Sequence, residues 1–465
     1  MSRQRREEMQ DKRDMLRVLI SLLVSAGFLF ILPVAGPGKA HAAGRQLRLT
    51  EAVRLALQNN YEIKAFENSL AAGKEDIGIA RSPLLPKIAF EERFMRTDNP
   101  TYAFMAKLNQ GRFASSDFAV TSLNNPKAIN DFQTSLSFEQ LLFSRSASLG
   151  LKMAKKEYSA QGEDYAGKKE EVAVKVIRTY FSVMTAKEYR DSAEKALADS
   201  KEHLRIAELR YKSGLGLYSD TLRASTTVTG SEQKLVSAGK NLNVARKALG
   251  LLLGTDEAVD VAGEQMEIPL MNIDYYNKAS LSRKDIRSME ARNENAKNSI
   301  RFAESAYLPS IGIGGAYQMN DHSAPGSEGE SWQVAAFLRW NLFDGTKREH
   351  ERAKAKFRAA ESEEGLKGLK QAISFKVYEA YLGVGEAKKN AELAAAALRT
   401  AEEGRRLVKV RYENSLSPII DLLDAQVSLD HARAGLVARE NEYRTAIADL
   451  SYESGTILKD LKIEE

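Results

Sequence analysis

The sequence predicts a mainly α-helical protein with a small transmembrane β portion, organised as two internal repeats. The stretch Arg210–Ala224 recurs 201 positions later as Arg411–Ala425, and upstream an offset of 223 aligns Pro86 with Pro309. No proline lies between residues 127 and 268 or between 326 and 417, and these Ala-, Glu-, Lys- and Leu-rich stretches favour very long helices. Other segments of about ten residues alternate apolar and polar side chains, as transmembrane β-strands do.

Residues 1–42 are predicted to be a secretory signal peptide. Six basic residues precede an apolar run from Val18 to Val34, and Ala40-His41-Ala42 follows. A retained inner-membrane anchor is the alternative, because the run is nearly long enough to span a bilayer. Beyond this leader 61 Lys/Arg residues stand against 59 Asp/Glu residues, a balance that does not indicate a nucleic-acid partner. Cysteine is absent, which excludes a lipid anchor on an N-terminal cysteine.

The first repeat is placed at 43–263 and the second at 264–465. Each is predicted to run as a helix, a β-hairpin, a very long helix, a tight turn and a second long helix. The hairpins are predicted at about 86–143 and 309–343, and the turns at 212–219 and 413–418. The first hairpin has about 23 extra residues, so residues 97–130 are predicted to form a long external loop.

A first helix is expected from Glu51, capped by Thr50 and continued by residues 62–82 until Pro83 and Pro86 stop it. The predicted strands are Ile88–Phe94, Phe132–Leu142, Ile311–Tyr317 and Trp332–Leu342. In the last of these Trp332 and Trp340 share a face, roughly 27 Å apart along an extended strand. That spacing suits aromatic residues at the two edges of a bilayer. Taken alone, this strand also fits the core face of a soluble sheet.

The long helices carry heptad repeats. Val176, Val183, Leu197, Leu204 and Tyr211 share one position with Arg190 as an exception, and Arg405 interrupts the same pattern in the second repeat. Sustained heptads with small residues three positions on predict coiled-coil packing. From Ser144 to Lys212 a continuous helix would measure about 100 Å. A cytosolic coiled coil, the usual source of such a pattern, would explain neither the leader nor the strands.

No catalytic or metal-binding pattern is visible. None of the five histidines (His41, His203, His322, His350 and His431) has a partner at metal-ligand spacing in the sequence. A P-loop and a nucleophile elbow are also missing. We therefore expect no enzymatic activity, no cofactor and no metal.

Four strands are too few to close a barrel, because the smallest transmembrane barrels need about eight. An open sheet edge in lipid leaves backbone groups without hydrogen-bond partners. If these strands cross a membrane, several protomers must share one barrel.

The chain resembles the TolC-like outer-membrane efflux proteins along nearly its whole mature length. The resemblance rests on Leu49-Thr50-Glu51-Ala52, the two hairpins, the two Arg-Tyr turns and Asp421-Leu422-Leu423-Asp424-Ala425. It implies a homotrimer with a twelve-stranded β-barrel in the outer-membrane lipid and a twelve-helix tunnel through the periplasm. It further implies a passive channel for efflux or type I secretion, with a periplasmic adaptor and an inner-membrane pump as partners.

The same resemblance assigns roles at the two turns. Asp421 and Asp424 match carboxylates that line the periplasmic gate, although two acids at a helix start also complement the helix dipole. Tyr412 and Asp220 match a pair that links the helical hairpins, and Ser417 stands where the family has an arginine. The exposed turn residues match an adaptor-docking tip, with local packing as the alternative; they are Leu215, Gly216, Leu217, Leu416 and Pro418. A periplasmic coiled-coil adaptor is the competing function, but its lipoyl-like β module is not visible.

Overall fold

A computed structural model describes residues 46–263, 268–324 and 328–463, so the predicted signal peptide lies outside the described residues. The first repeat contains α1 (Leu49–Asn59), α2 (Tyr61–Arg81), β1 (Lys87–Thr97), α3 (Pro100–Asn109), α4 (Val120–Asn124), β2 (Ile129–Phe143), α5 (Arg145–Lys212) and α6 (Tyr218–Leu252). The second contains α7 (Ile273–Ser280), α8 (Lys284–Glu304), β3 (Ser310–Asp321), β4 (Gly329–Arg339), α9 (Lys347–Glu413), α10 (Ile419–Glu453) and α11 (Ile457–Asp460). In these ranges no helix offers an apolar stretch long enough to cross a membrane.

The long helices begin and end close to where the sequence places them. Ser144 caps α5 by accepting a hydrogen bond from the backbone N–H of Ala147 at 3.2 Å, and the helix continues to Lys212. The expectation for the first helix is wrong in detail, because α1 begins at Leu49 and Thr50 lies inside it. Arg48 precedes α1 and forms no side-chain cap, whereas Asn60 ends α1 and caps α2 by accepting a hydrogen bond from Glu62 N–H at 2.8 Å.

The four strands form one antiparallel sheet in the order β1-β2-β3-β4. The strand register gives the sheet one mainly apolar face, which also carries Glu92, Thr134 and Gln140, and one mainly polar face, which also carries Phe337. The apolar face carries Ile88, Phe90, Leu136, Phe138, Ile311, Ile313, Tyr317, Trp332, Val334 and Leu338. The polar face carries Glu91, Arg93, Asp131, Gln133, Ser135, Ser137, Glu139, Gln318, Asn320, Gln333 and Arg339.

The apolar face is uncovered within one chain, where Trp332 is 77% exposed and Phe90 65% exposed. The predicted extent of the last strand needs correction, because β4 ends at Arg339 and Trp340 lies one residue beyond it. There the Trp340 indole Nε1–H donates a hydrogen bond to the Tyr307 carbonyl at 3.1 Å. Trp332 therefore lies inside β4 near its start, and Trp340 lies just beyond its end.

Four long helices lie side by side in the order α6-α5-α10-α9. The largest core gathers around the middle of α5, where Ile177, Tyr180 and Phe181 are fully buried. The Tyr180 hydroxyl donates a hydrogen bond to the Leu47 carbonyl at 3.1 Å, which ties the start of the described chain to α5. This core holds the long helices in register and so fixes the position of the turns at their far ends.

The connection between β1 and β2, residues 98–128, is folded rather than extended. Asn99 caps α3 by accepting hydrogen bonds from the N–H groups of Thr101 and Tyr102, and Pro100 occupies its first turn. We call these residues the insertion. The end of the sheet where the insertion and residues 322–328 connect strands is the loop end; the opposite end, which leads into α5 and α9, is the helix end.

Candidate functional site: the turns of the two helical hairpins

Both helical hairpins turn through the same backbone motif. Gly214 and Ser415 adopt left-handed conformations with φ of 73° and 59°. The next residue of each turn donates its N–H back to the helix, Leu215 to the Arg210 carbonyl and Leu416 to the Arg411 carbonyl, both at 2.8 Å. Two Schellman turns thus place residues 213–217 and 414–418 at one end of the helical layer.

The Arg210 side chain joins the two turns. Its Nη1 donates to the Tyr412 carbonyl at 2.7 Å, and its Nη2 donates to Ser415 Oγ at 2.9 Å. The guanidinium carbon also lies 4.8 Å from the centre of the Tyr412 ring. Arg411, the repeat equivalent of Arg210, is exposed instead. Sequence reasoning missed this contact, although an arginine at the same place in both turns was a usable signal.

Tyr412 lies beneath Arg210 in a small core and is only 3% exposed. It packs with Ala207, Ala224, Ile419, Leu422 and Leu423. Burial raises the pKa of the Tyr412 phenol, the Arg210 charge lowers it and the Asp220 charge raises it. Asp220 is therefore nearby, but within the described residues of one chain no hydrogen bond joins it to Tyr412. The predicted Tyr412–Asp220 hydrogen bond stays a prediction.

Asp421 and Asp424 lie one helical turn apart at the start of α10, and both side chains are exposed. Leu422 and Leu423 between them are buried in the core under Arg210, so the helix start that carries the carboxylates is anchored. Neither carboxylate forms an ion pair inside the described part of the chain. The apolar tips of the turns are exposed as well, with Leu215, Leu217 and Leu416 each at 68%.

The other predicted tip residues flank these leucines. Pro418 is exposed and precedes α10, while Gly216 is half-buried because its backbone lies against Arg210 and Tyr211. Ser417, at the place of the family's arginine, has a buried hydroxyl oxygen without a partner among the described residues. The turns are closed by Arg210 of the first repeat and not by a residue at position 417.

A cluster of polar side chains crosses from α5 to α9 and α10, above the small core. The Arg405 guanidinium donates to Asp199 Oδ1 at 2.8 Å and to Gln426 Oε1 at 3.0 Å. Gln426 in turn donates to Asp430 Oδ1 at 2.9 Å. The polar cluster consists of Asp199, His203, Arg405, Gln426, Asp430 and Arg433. The arginine that interrupts the heptad is therefore an interhelical contact.

The structure corrects one expectation about histidine. The His322 ring has carboxylate neighbours, since its Nδ1 lies 2.7 Å from Asp321 Oδ1 and 3.8 Å from Glu328 Oε2. These three groups could place ligand atoms within 4.8 Å of one another. Asp321 is buried, but the other two side chains are half exposed and the Asp321 oxygen already accepts hydrogen bonds. The expectation of no bound metal stays a prediction.

Comparison with known proteins agrees with this geometry. The sequence profile of the family described as "Outer membrane efflux protein" matches residues 52–255 and 275–456, one match in each repeat. The chain belongs to this family. It is 22% identical over 434 residues to the "Alkaline protease secretion protein AprF" of Pseudomonas aeruginosa, covering 88% of this chain and 85% of that protein. It is 21% identical over 427 residues to the "Outer membrane protein TolC" of Vibrio cholerae, covering 88% and 91%.

Solved structures share the fold of this outer membrane efflux protein. The Campylobacter jejuni CmeC outer membrane channel superimposes with a TM-score of 0.73 at 18% identity, covering 92% of this chain and 94% of that one. The predicted fold class is confirmed: the efflux protein is mainly helical, has two repeats and a small β portion, and shares the fold of TolC-like trimeric channels. It is an outer-membrane protein that extends into the periplasm.

The polar cluster should make the helical part of this efflux protein sensitive to acid. His203 is fully buried, its Nε2–H donates to Gln426 Oε1 at 3.3 Å, and its Nδ1 has no partner in the described residues. Burial lowers the pKa of His203 below 6.5. The folded state therefore favours neutral His203, and the stability it contributes is present above about pH 6.5 and lost as the pH falls through the lowered pKa.

We expect His203→Gln to keep a larger share of its thermal stability on acidification than the wild type. Burial raises the pKa of Asp430, which works in the opposite sense because the folded state takes up that proton first. Since Asp430 is present in both proteins, the difference between them isolates His203. The measurement is the midpoint of thermal unfolding by circular dichroism between pH 7.5 and pH 5. Equal shifts for both proteins would contradict the assignment.

Proposed function

We propose that three copies of this chain form a passive channel, with a twelve-stranded barrel in the outer membrane and a twelve-helix tunnel in the periplasm. The observation that carries the proposal is the chemical difference between the two faces of the sheet. Large apolar side chains predominate on one face, where Glu92, Thr134 and Gln140 are polar exceptions, and hydrogen-bonding side chains predominate on the other. A transmembrane barrel with a water-filled interior requires this arrangement, with the apolar face toward lipid and the polar face toward the lumen.

The sheet edges supply the second argument for assembly. Along the ranges that the structure describes, β1 and β4 each pair with a neighbour on one side only. Open edges are not tolerated in lipid, so β4 of one copy would pair with β1 of the next. In the same closed barrel Trp332 and Trp340 would lie near the two membrane surfaces, as aromatic residues do in such proteins.

The outer helices of the layer need partners too. Val236 and Val244 on α6 are exposed by 74% and 58%, and Phe375 and Leu382 on α9 by 65% and 53%. Packing of α6 against α9 of the neighbouring copy would bury these side chains and close the tunnel. The turns of all three copies would then meet around the axis, so that Asp421 and Asp424 contribute six carboxylates to one entrance.

Because the sequence has no P-loop and no nucleophile elbow, we propose that the energy for transport comes from a partner and that the channel has no enzymatic activity. The exposed leucines at the turns would dock a periplasmic adaptor that connects the channel to an inner-membrane pump. Relatives named for protein secretion and for outer-membrane channels support an exit duct for efflux or type I secretion. They do not support the competing function of a periplasmic coiled-coil adaptor.

A pair of arginine substitutions on β4 tests the orientation of the sheet. We expect Val334→Arg to destabilise the barrel by about 2–4 kcal/mol, because the charge would lie in lipid. Gln333→Arg should be tolerated, because its side chain would face water in the lumen. The measurement is the amount of trimer in outer-membrane fractions, resolved on denaturing gels with and without boiling. Equal trimer yields for both variants would contradict a membrane-spanning strand.

A further inference from the structure

The insertion covers the polar face of the sheet at its loop end. Gln110, which follows α3, is 1% exposed and makes the main contact. Its side-chain Nε2 donates to Asp131 Oδ1 at 2.9 Å, and it lies 2.8 Å from the Asn130 carbonyl and 3.2 Å from the Asp321 carbonyl. One amide group therefore holds the insertion to both β2 and β3.

The register shows which face this contact lies on. Asp131 is two positions from Gln133 on β2, and Gln133 pairs with Asn320 on β3, so all three share the polar face. The Asn320 Nδ2 donates to both carboxylate oxygens of Asp131 at 3.1 Å. Asp131 and Asn320 are only 3% and 2% exposed, because the insertion covers them.

Two further contacts place α3 over the same face. Gly329 of β4 pairs with Asn320, and a Cβ atom at Gly329 would lie 1.7 Å from the Asn109 carbonyl oxygen. Only glycine permits so close an approach. Ala103 and Ala106 of α3 are also buried in one cluster with Ile129. Ile129 is the first residue of β2 and lies on the same face as Asp131. The insertion thus contacts β2, β3 and β4 from one side.

The insertion also has a small interior of its own. The Phe113 ring packs edge-on against Phe104 at 4.8 Å and Phe118 at 5.0 Å between ring centres. Lys107 forms an ion pair with Asp117 at 2.8 Å. These contacts hold the distant parts of residues 98–128 together, so the insertion is a compact, folded segment.

We propose that the insertion is a size-limiting constriction at the outer exit of the channel. This inference rests on the proposed function, in which the polar face lines the lumen. Three insertions, each folded onto the lumenal side of its own sheet, would narrow the exit from three directions. The channel then has a restriction beyond the periplasmic gate, and cargo larger than the opening can leave only when Gln110 releases the sheet.

The test uses single cysteines, because the natural chain has none. Gln133→Cys places a thiol on the lumenal face below the insertion, and Ser116→Cys places one on its exposed surface. Intact cells are treated with a small cationic methanethiosulfonate and with a maleimide that carries a long polyethylene glycol chain. We expect both reagents to label Ser116→Cys, and only the small reagent to label Gln133→Cys.

Releasing the insertion should admit the large reagent. Gln110→Ala, or replacement of residues 101–127 by a short Gly-Ser linker, is expected to raise polymer labelling of Gln133→Cys about tenfold, since the charge-assisted contact to Asp131 is lost. Gln140→Ala is the matched control. The Gln140 side chain donates a hydrogen bond to the Leu84 carbonyl at the helix end of the sheet, away from the insertion. Trimer on unboiled gels confirms assembly of each variant.

Two results would overturn the proposal. One is rapid polymer labelling of Gln133→Cys in the otherwise natural protein, and the other is no increase in either released variant. Failure of both reagents to label Ser116→Cys on intact cells would instead contradict the orientation of the channel, and with it the proposed function.

Discussion

Replacing Asp421 and Asp424 together with alanine is expected to abolish block of the channel by multivalent cations added on the periplasmic side. Six exposed carboxylates around one narrow entrance would create a deep negative potential, which concentrates cations and favours their passage. The double variant should lose cation selectivity but still form trimers, because a ring of like charges does not hold an assembly together. Single-channel recording in planar bilayers, with trivalent cations added to one side, measures both properties.

A matched acidic pair controls for the change in net charge. Glu361 and Glu364 on α9 have the same spacing and are exposed, but they lie far along the helix from the turn. Alanine at both positions should leave block and selectivity at wild-type values. If the Asp421/Asp424 double variant also keeps them, these carboxylates only complement the dipole of α10.

Arg210→Ala should open the entrance and raise single-channel conductance severalfold. The substitution removes the hydrogen bonds to Tyr412 and Ser415 and the contact with the Tyr412 ring, which hold the first turn against the second. Hydrogen bonds to charged groups contribute about 1.5–3 kcal/mol, and partial exposure reduces this to about 1–2 kcal/mol here. Destabilising the closed state by this free energy would increase the ratio of open to closed channels roughly five- to thirtyfold.

Arg411→Ala is the control for Arg210→Ala, since Arg411 has the same place in the second turn but an exposed side chain. Its conductance should stay near that of the wild type. A double-mutant cycle with Tyr412→Phe and Asp220→Ala tests the predicted hydrogen bond across the entrance, because residues that share a bond give non-additive effects. Equal conductance for Arg210→Ala and Arg411→Ala would show that the bridge between the turns does not control the entrance.

The helices and strands could be predicted from the sequence because their patterns are periodic and occur in both repeats. Proline-free heptads gave the long helices almost to the residue, and alternation gave all four strands within a few residues. The helix α3 was missed because the insertion has no counterpart in the second repeat. Its signal was nonetheless present in Asn99-Pro100, a cap followed by a proline suited to the first helical turn.

The site was less predictable, because its contacts join residues far apart in the chain. Arg210 forms a hydrogen bond with Tyr412, which is 202 positions away, and no local sequence pattern predicts such a pair. Arg405 was visible as an exception in the heptad, but its partners Asp199 and Gln426 lie on other helices. Residue type alone indicates Thr50 as a cap, but the first helix starts after Arg48 without a side-chain cap, and Asn60 caps the second helix.

The pairing of β2 with β3 has a consequence for how the protein is made. Asp131 of β2 and Asn320 of β3, whose side chains are hydrogen-bonded, are 189 positions apart. The helical hairpin of the first repeat can form from neighbouring segments alone. The complete sheet can form only after the second repeat has crossed the inner membrane. Until then β2 can pair with β1, but its other edge would expose unpaired backbone groups next to apolar side chains, a state that favours aggregation. We therefore expect biogenesis of this protein to require that the free edge of β2 is protected until β3 is available.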